Sequence, residues 1–316
     1  MKKIIKTKSQ MIADLDNQKL LSHKIKRAKD SFLIVGEHEK GQIVIISGTD
    51  AKHIKKSLRM VCGDELNLFD NIGNEYTGRI QNIDGLRIDI CIIEKHRILR
   101  ENIIKVILCQ SVPKLPKMDL IIQKTVEIGV TGIVPLITER SLIKDTNHSS
   151  LQNRLSRWNK ISYESVKQCG RSIIPIIEKP TQFVNFLKLF ESIPREDESF
   201  SFYQLENLDP RCHKFIFSTN YNDQSITSFF SKKRFSNSKL IPKDTKRVFS
   251  EAYLLIGPEG GFTNKEKRLS IDAGFIPLRL SPNILRVETA AILSVGLVMN
   301  HLEDFIETFY INGDFD

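Results

Sequence analysis

Two stretches near the carboxyl end of the chain hold residue types at spacings suited to chemistry: AYLLIGPEGGFTNKE at residues 252–266 and LRLSPNILRVETAAILSVGLVMN at residues 278–300. In the first, five apolar residues predict a buried strand, Gly257, Pro258, Gly260 and Gly261 force a tight loop, and Thr263 with Glu266 forms a T-x-x-E capping box that opens a helix. Glycines let a backbone approach a ligand closely. Free amides at a helix start accept a carboxylate, a phosphate or an adenine nitrogen. The loop lacks GK[ST], and no GxGxxG follows a strand anywhere in the chain. Phosphate-loop hydrolysis and conventional dinucleotide binding are therefore set aside.

In the second stretch a strand runs into an irregular loop, Ser281 to Arg286, and then into a helix of small and apolar residues from Thr289 to Met299 that must be buried. Arg286 and Glu288 stand two positions apart and would not face each other on a regular helix. Such charges at the mouth of a buried helix need partners: each other through irregular backbone, or a ligand and a substrate. The seven histidines show no metal-ligand spacing, so no metal is expected.

Elements of two kinds must position these segments. From Phe32 to about Arg97 the pattern is short and β-like: Phe32–Val35, Gly41–Ser47, Asp64–Phe69, Glu75–Ile80 and Leu86–Ile93, with glycine turns between. This predicts a small barrel, with one helix over Asp50–Met60 carrying His53, Lys55, Lys56 and Arg59. After Arg100 strands alternate with helices, which predicts a parallel sheet with crossover helices. The expected strands are Lys105–Gln110, Gly132–Ile137, Ile173–Ile177, Lys214–Ser218, Ala252–Ile256 and Phe275–Leu280. Met118, Ile121, Ile122, Thr125 and Val126 share one helical face that Gly129 would close. Leu151, Leu155, Trp158 and Ile161 form a second stripe, closed by Gly170. Residues 181–250 are less regular and read as a peripheral insertion around one strand.

At 316 residues, two domains of unequal size are expected. Hydrophobic residues at 41% and charged residues at 27% exclude a disordered chain, and no apolar run is long enough to span a membrane. Residues 1–30 carry nine Lys or Arg against three Asp and read as a basic extension lacking the apolar stretch of a secretory signal. Five cysteines without a CxxC pair fit a reducing cytoplasm. The net charge of +9 favours a polyanionic partner.

The order and separation of LLIGPEGGFT and LSPNILRVETA resemble the RsmE family of uridine-N3 methyltransferases of small-subunit ribosomal RNA, members of the SPOUT superfamily. KHIKKSLRMVCGDELNLFDNIGNEYTGRI, PKLPKMDLIIQKTVEIGVTGIVPLITERS and RWNKISYESVKQCGRSIIP are similar to further segments of that family, and together they cover roughly residues 32–305.

The resemblance implies an α/β fold: a trefoil-knotted SPOUT methyltransferase domain with a parallel sheet over residues 101–316, preceded by a small PUA-like RNA-binding β-barrel over residues 32–100 and a basic extension over residues 1–31. It implies S-adenosyl-L-methionine as methyl donor, small-subunit ribosomal RNA or the assembled small ribosomal subunit as partner, and a homodimer. Gly257, Pro258, Glu259, Gly260 and Gly261 would form one cofactor loop, and Leu280, Ser281, Asn283, Ile284 and Leu285 the other. Arg286, Glu288 and Thr289 would lie where methyl donor and uridine meet. His53, Lys56, Arg59, Lys114, Lys124, Gln168 and Arg171 would bind RNA, with Glu127 beside them. The family usually has glycine at Ser281, threonine at Val287 and a histidine at Lys52. Two alternatives stay open: a SPOUT methyltransferase of another RNA site, and a non-catalytic RNA-binding assembly factor.

Overall fold

The structure is a computed structural model that describes residues 30–97, 101, 104–141, 148–190, 212–235 and 251–311. Most of the expected basic extension lies outside these residues, as does much of the expected insertion. The chain divides into two compact units: one runs to Asn102 and takes in Tyr163–Ile174, the other comprises Ile103–Ser162 and Pro175–Asp316.

The first unit is a five-stranded sheet built from β1 (Ser31–Leu33), β2 (Ile43–Ser47), β3 (Glu65–Phe69), β4 (Asn74–Asp84) and β5 (Arg87–Arg97) in the order β1-β3-β4-β5-β2. Alternation drives it: in β2, Val44 and Ile46 point inward while Ile43 and Ile45 face water. The inward set, with Leu66, Leu68, Tyr76, Ile80, Ile88 and Ile90, encloses one core. Gly78 must be glycine, because a Cβ there would overlap Ile90 and come within 2.8 Å of Leu68 Cδ1. The single helix expected over Asp50–Met60 is shorter and irregular: α1 (Gly48–Lys52) passes into a π-helical turn at His53–Ser57. Arg59 then takes φ 53°, which no helix continues.

The segment Tyr163–Ile174 is stitched into this unit by polar contacts. Lys167 is buried, with its ammonium 2.9 Å from Asp50 and 4.9 Å from the centre of the Phe32 ring. Tyr163 donates its hydroxyl proton to the same Asp50 carboxylate. Burial, reinforced by that carboxylate, pushes the Tyr163 phenol well above its ordinary range.

The second unit is an all-parallel sheet in the order β11-β13-β10-β12-β6-β7-β8. Its strands are β6 (Lys105–Ser111), β7 (Gly132–Ile137), β8 (Ile176–Ile177), β9 (Thr181–Gln182, paired to β7), β10 (His213–Phe217), β11 (Gln224–Ser225), β12 (Glu251–Ile256) and β13 (Ile276–Arg279). The central strands β6 and β12 are buried along almost their whole length, as their unbroken apolar runs require.

Its helices are α2 (Leu115–Ile128), α3 (His148–Cys169), α4 (Phe183–Leu187), α5 (Ile226–Phe235), α6 (Asn264–Asp272) and α7 (Val287–Ile311), with the last turns of α3 belonging to the first unit. Helix α2 buries Met118, Ile121, Ile122, Thr125 and Val126 and ends on Gly129 at φ 116°, as expected. In α3 only Trp158 of the expected stripe is fully buried; Leu151, Leu155 and Ile161 are half-buried. The strand expected over Ile173–Ile177 shrinks to β8, because Ser172, Ile173 and Ile174 give their backbone N–H groups to the side chains of Glu101 and Asn71. The reading of residues 181–250 as peripheral is corrected in part, since Phe183, Phe186 and Leu187 of α4 sit in the sheet's core, while the one strand expected there, Lys214–Ser218, is present as β10 inside the sheet. A five-residue helix is too short to display helical periodicity.

Candidate functional site

In an open parallel sheet the crevice beyond the carboxyl ends of the strands is where ligands bind. Here the segments following β10, β12 and β13 meet at that edge around a cavity of about 520 Å3, within the roughly 300–1,000 Å3 range of small-molecule sites. All ten residues assigned to the two loops line this one cavity: Gly257, Pro258, Glu259, Gly260, Gly261, Leu280, Ser281, Asn283, Ile284 and Leu285.

The first loop is held on three sides. Gly261 takes φ 66° and donates its N–H to the Pro258 carbonyl at 2.8 Å. A Cβ on Gly257 would stand 3.1 Å from Gly261 Cα and 3.2 Å from the Phe262 nitrogen, so a side chain there would force the turn's backbone to give by a few tenths of an ångström. The expected capping box is present: Thr263 Oγ1 accepts from the Glu266 N–H, and Glu266 Oε2 accepts from the Thr263 N–H at 2.8 Å. Glu266 Oε1 also accepts the Glu139 N–H at 2.9 Å, and Arg140 donates to the Gly260 carbonyl at 2.7 Å.

Glu259 leaves the loop toward the start of α2, where its Oε1 lies 3.3 Å from the Lys114 nitrogen and 3.1 Å from the Lys117 ammonium. Burial pushes its carboxyl up, but donation from its own backbone N–H and from Lys117 and Lys114 outweighs this and holds it below the usual range.

Arg286 lines the cavity. Glu288, in the first turn of α7, has a largely buried side chain whose Oε2 is 3.7 Å from the Lys117 ammonium and has no hydrogen-bond partner. Thr289 is exposed on the same turn, and neither it nor Glu288 is part of the cavity lining, which takes Arg286, Val287 and Ala290 from this stretch.

The residues expected to bind RNA divide between the units. In the first, Lys56, Arg59 and Gln168 are exposed, and His53 Nε2 lies 2.8 Å from Asp30 Oδ2. Arg171 is buried against Glu101, with Nη2 at 2.6 Å, so its guanidinium is engaged in the fold. In the second, Lys114 is exposed at the start of α2 and Lys124 pairs with Glu127 at 2.9 Å. Sequence reasoning missed Lys117, Arg140 and the Phe217–Thr219 turn, all of which line the cavity. The position of Arg140 just past β7 at the carboxyl edge was the available signal. Among the described residues, no group of three His, Cys, Asp or Glu is placed to hold a metal, and no helix is long and apolar enough to cross a membrane.

A parallel α/β unit with a glycine-walled cavity at its carboxyl edge, preceded in sequence by a small curled β unit, defines a ligand-binding enzyme class. The family model of an RNA methyltransferase domain matches residues 100–299, and that of an RNA methyltransferase PUA domain matches residues 46–92. Ribosomal RNA small subunit methyltransferase E of Buchnera aphidicola subsp. Schizaphis graminum is 30% identical over 261 residues, 80% of this chain and 89% of the relative. The enzyme of the same name from Bacillus subtilis is 26% identical over 258 residues, 82% of this chain and 90% of the relative. A methyltransferase of Legionella pneumophila, solved with the bound cofactor SAM, superposes with a TM-score of 0.68 at 27% identity over 87% of this chain and 98% of its own. Ribosomal RNA small subunit methyltransferase E of Neisseria gonorrhoeae, at 24% identity and TM-score 0.67 over 86% of this chain and 97% of its own, shares the fold. The chain belongs to the family of the ribosomal RNA small subunit methyltransferases E.

Proposed function

We propose that this protein transfers a methyl group from S-adenosylmethionine to N3 of a uridine in small-subunit ribosomal RNA, the substrate being the RNA or the assembled subunit. The observation that carries the reading is the convergence of residues 257–261 and 280–285 on one cavity in a chain of this family. The cavity fits such a donor: Gly257, Gly260 and Gly261 put backbone rather than side chain on its wall, and a buried carboxylate oxygen without a hydrogen-bond donor lies 3.7 Å from the ammonium of Lys117, which lines it.

The donor supplies an electrophilic methyl on a sulfonium. The chain supplies geometry and proton handling. The two loops hold the adenosyl group and aim the methyl carbon in line with N3, and positioning of this kind supplies much of the rate. Glu288 takes the N3–H proton, the freed N3 pair forms the new N–C bond, and the S–C pair leaves with sulfur. Arg286 stabilises the uridine anion or holds an adjoining phosphate, and Thr289 completes the same turn. His53, Lys56, Arg59, Lys114, Lys124 and Gln168 form the RNA-binding set of this reading; Arg171, buried against Glu101, is left out of it. Residues 32–100 act as the RNA platform, and residues 101–316 as the methyltransferase domain with a trefoil knot near its end. The active form is a cytoplasmic homodimer.

Mass spectrometry of ribosomal RNA from cells with and without the protein tests this reading. A 3-methyluridine present only with the protein supports it. Methylation at another RNA class, or RNA binding without any modification, overturns it.

A further inference from the structure

The proposed site contains a cation that neither carboxyl-terminal motif supplies. Lys117, in the first turn of α2, lines the cavity with its ammonium 3.1 Å from Glu259 Oε1 and 3.7 Å from Glu288 Oε2. The two carboxylates are held differently. Glu259 Oε1 also lies within reach of the Lys114 N–H, at a helix start with no side-chain cap and no acidic residue in its first turn. It thus serves as the anion that the N-terminus of α2 lacks. Glu288 Oε2 is out of water with no hydrogen-bond donor, and among the described residues Lys117 is its ion-pair partner. A buried carboxylate oxygen in that state takes up a donor when one is presented.

We propose that Lys117 is a positioning residue for methyl transfer: its ammonium holds the Glu288 carboxylate in place with Oε2 free to receive a proton, and through Glu259 it couples that carboxylate to the loop that encloses the methyl donor. The inference rests on the reading of the cavity as the methyl-donor and uridine site. Two carboxylates around one ammonium leave a single negative charge. The imide proton neutralises it on Glu288, and Lys117 then keeps Glu259 as its ionised partner. The loop therefore stays anchored to α2 through the reaction while Glu288 changes charge.

The test compares wild-type protein with Lys117→Met and Lys117→Arg, using S-adenosylmethionine in calorimetry and ribosomal RNA in single-turnover methylation. Methionine keeps the stem and removes the charge. Loss of alignment predicts kcat down about 10- to 100-fold in the methionine variant, with the donor Kd within about threefold of wild type. Arginine, which restores the charge, recovers most of the lost rate. Unchanged kcat in Lys117→Met, a loss confined to donor affinity, or an arginine variant no better than methionine overturns the assignment of Lys117 alone. A wild-type protein that neither binds the donor nor methylates RNA overturns the underlying reading as well. Thermal melts of both variants at the wild-type temperature tie the kinetic losses to the site.

Discussion

Arg140, three residues past the end of β7, donates a hydrogen bond to the carbonyl of Gly260 at 2.7 Å across 120 positions of sequence. Its stem packs over the same glycine, with Cδ 3.3 Å from where a Cβ would stand. The carbonyl is thereby fixed, and so is the direction in which the loop presents its amides to the cavity. Glu139, the residue before it, gives its N–H to the Glu266 carboxylate. One short segment after β7 therefore braces both the loop and the helix that follows.

Replacing Arg140 with alanine removes this brace. A hydrogen bond from a charged group nets about 1.5–3 kcal/mol, and the exposure of Arg140 puts it at the lower end, so S-adenosylmethionine binding should weaken about tenfold. Calorimetry checks this. Unaltered affinity would mean that the loop holds its shape unaided.

Gly257→Ala introduces a methyl against backbone atoms of Gly261 and Phe262, which have no side chain to swing away. Such overpacking costs about 1–3 kcal/mol. The variant should melt at a lower temperature and lose donor binding, while Gly296→Ala, where an added Cβ meets nothing within 4 Å, should do neither.

Arg286→Ala and Glu288→Ala should each lower methylation by about 10²–10⁴-fold, as expected for charge stabilisation and proton transfer, with the far-ultraviolet spectrum and donor affinity preserved. Near-normal turnover in both variants would remove these residues from the mechanism.

A pH prediction comes from Asp70, whose carboxylate accepts from Ile72 N–H at 2.8 Å, from Asn74 Nδ2 at 2.6 Å and from the Tyr76 hydroxyl at 2.9 Å. Burial raises its pKa, and these hydrogen bonds together lower it below the ordinary 3.8. A depressed folded pKa contributes stability that is complete above the unfolded value and is lost as pH falls through the folded value. Acid unfolding of the wild type should therefore extend below pH 3.8, and Asp70→Asn should remove that component and cost about 1–3 kcal/mol at neutral pH, because the geometry of the acceptors is broken. Urea titrations at pH 7 and pH 3 measure both.

The sequence made the alternating β unit, the parallel sheet and both loop segments legible, since periods of two and of 3.6 residues and glycine-rich turns are local signals. Thr263 and Glu266 could be read as a capping box because both partners lie within one turn. Lys117 could not, since its partners Glu259 and Glu288 lie 142 and 171 positions away in sequence. Arg171 enters the RNA set through the family resemblance alone, and its burial depends on Glu101, 70 positions earlier. Long-range pairing and the placement of α4 in the core are properties of the tertiary fold, which local spacing does not encode.

The central claim is that residues 257–261 and 280–285 together enclose the methyl donor. A crystal structure of the full-length protein with S-adenosylmethionine measures this directly. The account predicts the adenosyl group between those two segments, with its methyl carbon facing Arg286 and Glu288. Donor density elsewhere on the molecule, with the cavity holding only solvent, would contradict it.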